Sequence, residues 1–225
     1  MAINTTNYHN ILHQIGTATT LVAVSKTKPN EDIMALYNLG QRHFGENYVQ
    51  ELVDKQATLP TDIYWHFIGH LQSNKVKFIA PFVHLIHGVD SSSLLQEINK
   101  QAAKNNRIIN CLLQIHIAKE DTKFGFNEAD LSLLKIDSFK NINIVGVMSM
   151  ATFTNNVTQI KAEFKYLKSV FNQLNNYLQV TTSTINFNPQ IISMGMSSDY
   201  PIAIEAGSNM VRIGSLLFGQ RNYNT

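Results

Sequence analysis

Eight short apolar runs punctuate the chain, beginning near residues 21, 43, 64, 83, 108, 142, 191 and 210, and a stretch with helical spacing follows each. Apolar runs of this kind read as strands buried on both faces, the pattern of a parallel sheet. Parallel neighbours need a crossover connection, usually a helix. The spacings leave room for one each time, although the second and eighth units are short. Eight such units in 225 residues match the α/β architecture of a TIM (β/α)8 barrel. An open, doubly wound sheet is the competitor. It would carry a nucleotide on a glycine-rich first turn, and the turn after Val24 has no glycine. With no repeat, low-complexity tract or linker in view, one barrel domain is expected over residues 1–225.

Strands are expected at 21–25, 43–45, 64–68, 83–89, 108–117, 142–148, 191–194 and 210–213. Helices are expected at 3–15, 31–39, 46–57, 92–104, 157–178 and 198–206, with a last turn at 215–218. Two more are expected to run from a cap at Ser73 to 79 and from a cap at Asn127 to 134, and Asp90-Ser91 is expected to cap the one at 92. Gly40 suits the left-handed position that ends a helix.

Composition removes several function classes. Hydrophobic residues make up 44% and charged residues 15%, so a large core is available and disorder is not expected. A net charge of +2 is too small to point to nucleic acid or a membrane surface. Cys111 is the single cysteine and sits in an apolar run, so it has no disulfide partner in the chain and reads as core, which suits a reducing cytoplasm. Residues 1–16 lack the basic and apolar regions of a signal peptide. No apolar run approaches the roughly 20 residues that span a bilayer.

In a TIM barrel the working groups lie at the C-terminal ends of the strands. The first end reads Ser25-Lys26-Thr27-Lys28-Pro29. A lysine closing a buried strand is partly desolvated, which disfavours its charged form. Lys28 is expected on the same side two residues on, and a second cation acts in the same sense. Together they favour a neutral amine, the form that adds to carbonyls to give Schiff bases. The plain alternative is a solvated lysine at a strand end. The seventh and eighth ends read Gly195-Met196-Ser197-Ser198-Asp199 and Arg212-Ile213-Gly214-Ser215. Glycine lets backbone approach a ligand, and hydroxyls and N–H groups donate to anions, so these turns suit a phosphate. Ordinary capped turns explain them equally well. Arg212 ends an apolar strand, so its guanidinium is expected to meet a carboxylate, a phosphate, a ring nitrogen or a structural ion-pair partner. A Schiff-base lysine opposite a phosphate cradle implies a phosphorylated aldehyde, either pyridoxal 5′-phosphate (PLP) or a sugar phosphate of the aldolase type.

Other candidates carry less. His66 and His70 lie on a strand and its turn rather than at helical spacing, so a metal pair is not expected. His84 and His87 read as satisfied core or edge histidines. Met148, Met150, Met194 and Met196 suit a pocket wall or plain core filling. Lys119, Glu120, Asp121 and Lys123 read as a solvated loop.

The motifs Val24-Ser25-Lys26-Thr27-Lys28-Pro29, Phe44-Gly45-Glu46-Asn47-Tyr48-Val49-Gln50-Glu51, Trp65-His66-Phe67-Ile68-Gly69, Leu71-Gln72-Ser73-Asn74-Lys75, Gly195-Met196-Ser197-Ser198-Asp199 and Val211-Arg212-Ile213-Gly214 resemble those of the pyridoxal phosphate homeostasis protein family. The resemblance spans nearly the whole chain. It implies a barrel like the N-terminal domain of bacterial alanine racemase, PLP fold type III, with PLP held as an aldimine on Lys26. It also implies Arg212 at the pyridine nitrogen, Asn47 near the ring, and Ser197, Gly214, Ser215 and backbone near Met196 at the phosphate. His70 and His116 depart from residues common in the family, outside the lysine, arginine and phosphate motifs. In the racemases a second, β-rich domain supplies a catalytic tyrosine across a dimer. The sequence ends soon after the eighth strand, so a monomeric carrier, buffer or regulator of PLP, serving PLP-dependent apo-enzymes, is expected over an efficient racemase. A small PLP enzyme with weak racemase or lyase activity is the alternative.

Overall fold

The computed structural model describes residues 3–117, 124–181 and 187–219. The strands β1 (Thr20–Val24), β2 (His43–Glu46), β3 (Tyr64–Phe67), β4 (Leu85–Val89), β5 (Ile109–Gln114), β6 (Ile142–Met148), β7 (Phe187–Ser193) and β8 (Met210–Ile213) pair in chain order, all parallel. β8 pairs back onto β1, with Val22 opposite Arg212, and closes the barrel. The expected TIM architecture is therefore present.

Helices cover the outside. They are α1 (Thr5–Ile15), α2 (Asn30–Asn38), α3 (Val49–Thr58), α4 (Val76–Ile79), α5 (Ser92–Lys104), α6 (Glu128–Ser132), α7 (Val157–Thr181), α8 (Tyr200–Glu205) and α9 (Ser215–Phe218). Local chemistry explains several starts. Ser91 accepts from Leu94 N and caps α5, while Asn127 and Asp130 form a reciprocal capping box on α6. Among the described residues no helix is long and apolar enough to cross a membrane.

The alternation of side chains along each strand divides the apolar residues into two sets. Leu21 and Ala23 of β1 face outward with Phe44, Trp65, Ile86 and Cys111, against helix residues such as Leu36, Phe164 and Leu167. Val22 faces inward with Leu85, Leu112, Met148 and Met210. Each fully buried Leu or Phe contributes roughly 1.5–3 kcal/mol, so the outer layer supplies most of the burial energy. The inner layer is small and leaves places for polar side chains.

Several boundaries differ from the sequence expectation, each for a local reason. Glu46 closes β2 instead of opening a helix, and the next helix waits until Val49. Ser73 caps nothing and begins a 3-10 turn, Ser73–Lys75, that leads into α4. Asp90 leaves the capping of α5 to Ser91 and pairs with His70 instead. β4 starts at Leu85, β5 ends at Gln114, β7 begins at Phe187, and α8 starts at Tyr200 with Pro201 in its first turn. The charged stretch 119–123 lies outside the described residues.

Candidate functional site

Lys26, Asn47, Met196, Ser197, Arg212, Gly214 and Ser215 all line one cavity of about 530 Å³. It sits at the C-terminal mouth of the barrel, because these residues come from the ends of β1, β2, β7 and β8 or the turns after them. Ile68, Met150 and Phe153 add an apolar wall, and Phe153 is 92% exposed.

The turn that carries Lys26 is built tightly. Lys28 N donates to Ser25 O at 3.0 Å, which closes a turn over Lys26 and Thr27. Thr27 has φ 62°, a left-handed conformation that β-branched residues rarely adopt. Its N–H donates to Glu51 Oε1 at 2.5 Å, which holds the strained residue in place. The bend also corrects the expectation that Lys28 would stand beside Lys26. Lys28 Nζ donates to Phe218 O at 2.8 Å and lines a different cavity.

A buried ionic cluster supports the turn from beneath. Ser25 Oγ donates to Glu46 Oε1 at 2.6 Å, and Lys55 Nζ donates to Ser25 O, Glu46 Oε1 and Glu51 Oε1 at 2.8, 2.8 and 2.7 Å. Burial raises the Glu46 carboxyl to about 7, against the pull of Lys55 and Ser25. Among the described residues its second oxygen, which is buried, has no hydrogen-bond partner.

Arg212 is buried across the mouth. One arm donates to Ser193 O and Oγ at 2.8 and 2.6 Å, and the other to Ser149 O at 2.9 Å. Burial lowers its pKa to about 10, offset in part by Asp199, so it remains a cation at neutral pH. Asp199 also accepts from Met196 N at 2.6 Å and so fixes the turn after β7. Gly214 N donates to Ser197 Oγ at 3.3 Å and joins the seventh and eighth turns. Gly195 has φ +95°, and a Cβ there would lie 2.6 Å from Ala203 Cβ, so only glycine lets β7 turn against α8.

Beneath Arg212 a polar column crosses the barrel. Ser193 Oγ lies 3.1 Å from His87 Nδ1, His87 Nε2 lies 2.8 Å from His66 Nδ1, and His66 Nε2 lies 2.9 Å from His43 Nδ1. His87 is therefore a satisfied interior histidine, as expected. His70 is not part of this column and instead meets Asp90 (3.0 Å) and stacks on Phe124. Neither His70 nor His116 lines the cavity. Met150 and Met196 line it, whereas Met148 and Met194 fill the two cores.

The family model for the alanine racemase N-terminal domain matches residues 4–222. The pyridoxal phosphate homeostasis protein of Aquifex aeolicus is 38% identical over 206 residues, which are 90% of this chain and 87% of that one. The chain belongs to the pyridoxal phosphate homeostasis protein family. The Haemophilus influenzae family member is 39% identical, over 91% of this chain and 86% of its own. PipY of Synechococcus elongatus, solved with PLP bound, superposes with a TM-score of 0.86 at 33% identity, covering 95% of this chain and 99% of that chain. For this family member the strand-end motifs and the barrel geometry agree on one mouth. The polar column was not read from the sequence. The signal for it was the placement of His43, His66 and His87 at inward positions of three neighbouring strands, as the pairings Gly45 with His66 and His66 with Leu85 reveal.

Proposed function

We propose that this chain holds PLP at the C-terminal mouth of its barrel, anchored covalently on Lys26. In this reading it works in vitamin B6 homeostasis as a carrier, buffer or regulator of PLP in the cytoplasm, as a monomer. The observation that carries the proposal is the convergence of Lys26, the Arg212 cation and the hydroxyl-bearing turns of Ser197 and Ser215 on one cavity. Asn47 supports the fit, because it lines that cavity and its buried Oδ1 has no hydrogen-bond partner among the described residues, as suits a wall that meets a polar ligand. The PLP bound in PipY supports it as well.

When bound, PLP supplies an aldehyde that condenses with the Lys26 amine and releases water. Ser197, Gly214, Ser215 and backbone near Met196 bind the phosphate by hydroxyl and N–H donation. Asn47 would stand near the ring. Arg212, although buried, keeps its positive charge and would oppose protonation of a basic ring nitrogen held against it. That disposition favours holding the cofactor over using it as an electron sink.

The test uses the tag-free chain mixed with PLP. A visible absorption band is expected, with a borohydride-fixed mass increase on the Lys26 peptide, both absent in Lys26→Ala. Loaded protein is expected to reactivate PLP-dependent apo-enzymes faster than free PLP at equal concentration. An adduct on another lysine would overturn the anchor. Lys26-dependent exchange of a Cα hydrogen of an amino acid with solvent deuterium would overturn the carrier reading in favour of a small enzyme.

A further inference from the structure

The opposite, N-terminal end of the barrel gathers a second set of groups. His43 begins β2, Tyr64 begins β3, and His84 directly precedes β4. His66 stands one layer deeper in β3 and is fully buried. The imidazole centroids lie 5.1 Å apart for His43 and His66, 5.4 Å for His66 and His84, and 5.9 Å for His43 and His84. One ring nitrogen from each histidine falls within 4.8 Å of the other two.

The geometry points to a transition-metal site at this floor, with His43, His66 and His84 as ligands to a zinc-like divalent ion. Three imidazoles on three adjacent elements match the ligand type that zinc, cobalt, nickel and copper prefer. A tetrahedral ion with bonds of about 2.0–2.1 Å sets its nitrogens about 3.3 Å apart. His66 and His43 already approach to 2.9 Å. Rotation of His84, which is only half-buried, completes the set. Tyr64 packs on both His43 and His84, and these two histidines are only partly buried, so the trio meets solvent on the His43 and His84 side. The charge of Arg107 opposes a cation at His84. Its guanidinium is committed to Ala80 O and Val83 O, at 2.6 and 2.9 Å, so it does not occupy the site itself.

The column above the floor gives this site a second shell. A metal on His66 Nε2 takes the lone pair there and leaves the ring proton on Nδ1. That N–H then donates to His87 Nε2, and the His87 Nδ1–H donates to Ser193 Oγ. Ser193 Oγ already accepts from Arg212. Metal at the floor therefore directs the His66–His87 and His87–Ser193 bonds upward, where they meet at Ser193 Oγ the bond that Arg212 donates from the mouth. Without metal, His66 Nε2 is free to carry a proton toward His43, and the column can run the other way. Metal binding itself does not depend on the PLP reading.

The experiment takes the tag-free full chain, stripped with EDTA and without added PLP. It is titrated with Co(II) and then competed with Zn(II). The expected result is an intense visible d–d spectrum, saturating at one Co(II) per chain and lost to Zn(II). His84→Ala and His43→Ala are each expected to weaken binding by at least about 10-fold. His13→Ala, on the exposed face of α1, is expected to leave it unchanged. Melting each variant in EDTA verifies its fold, and half-buried His84 is the site where substitution disturbs packing least. No stoichiometric Co(II) spectrum, or a folded His84→Ala variant with wild-type affinity, overturns the site.

Discussion

The two ends of this barrel are made by the same strands and differ in kind. The C-terminal mouth has one lysine, one buried arginine and hydroxyl-bearing turns around a cavity, and its groups sit on turns. The N-terminal floor has three imidazoles and a tyrosine drawn together at strand beginnings. Strand ends that feed loops vary in conformation and place reactive side chains singly. Strand beginnings held in register place side chains side by side. Arg212 links the two regions, through Ser193 and the histidine column. The difference shows that a (β/α)8 interior need not be a purely apolar plug between its rims.

The largest expected effect separates the ends outright. Lys26→Ala is expected to abolish the borohydride-fixed PLP adduct while leaving the Co(II) spectrum of the floor in place, as mass spectrometry and absorption on one sample will report. Arg212 comes next, because it links the two regions. Arg212→Leu takes the Arg212 donor from the buried Ser149 carbonyl and one of two donors from Ser193 O, which keeps the Ser149 N–H. Stability is expected to fall by about 3 kcal/mol in urea denaturation. Arg212→Lys is expected to restore only part of this, since an ammonium does not reproduce the planar fork. If Arg212→Leu is as stable as wild type, the column is not a supporting element.

What was legible in the sequence follows the same division. The mouth was readable because Lys26, Arg212 and the turns of Ser197 and Ser215 are each marked locally by a polar residue ending an apolar run. The barrel was readable from the count of runs. The floor was not, since nothing local in the sequence marks His43, His66 and His84 as one set and only closed pairing in register brings them together. Glu46 was misread as the start of a helix because its glutamate favours helices, whereas Ser25 and Lys55, distant in sequence, hold it in the strand. Lys28 was misdirected because a threonine gives no local sign of the left-handed turn it adopts.

Glu46 sharpens the comparison by pH. Its carboxyl is raised by burial from 4.5 to about 7, so the folded chain keeps a proton that the unfolded chain releases. The stability tied to that proton is fully present below about pH 4.5 and is lost as the pH rises to about 7. The loss is on the order of 3 kcal/mol. Glu46→Gln is expected to remove this slope, read as the difference between wild-type and variant urea midpoints across that window. A parallel pair of profiles would mean that Lys55 holds the carboxylate ionised throughout.

The smallest expected effect tests whether the mouth alone stores strain. Among the described residues, the non-glycine positions with positive φ are Thr27 at the mouth and Asn106 after α5. Asparagine tolerates that conformation, and a β-branched threonine does not. Thr27→Gly removes the clash and keeps the backbone N–H that Glu51 accepts. Relief of roughly 1–2 kcal/mol of left-handed strain is offset by the greater freedom of glycine in the unfolded chain, so a net gain of about 1 kcal/mol is expected. The same substitution frees the turn that aims Lys26, so PLP is expected to leave the variant faster even as the fold becomes more stable. Urea denaturation and stopped-flow release of PLP measure the two effects separately. A variant that is more stable and holds PLP as long as wild type would show that the strained turn has no part in presenting the lysine.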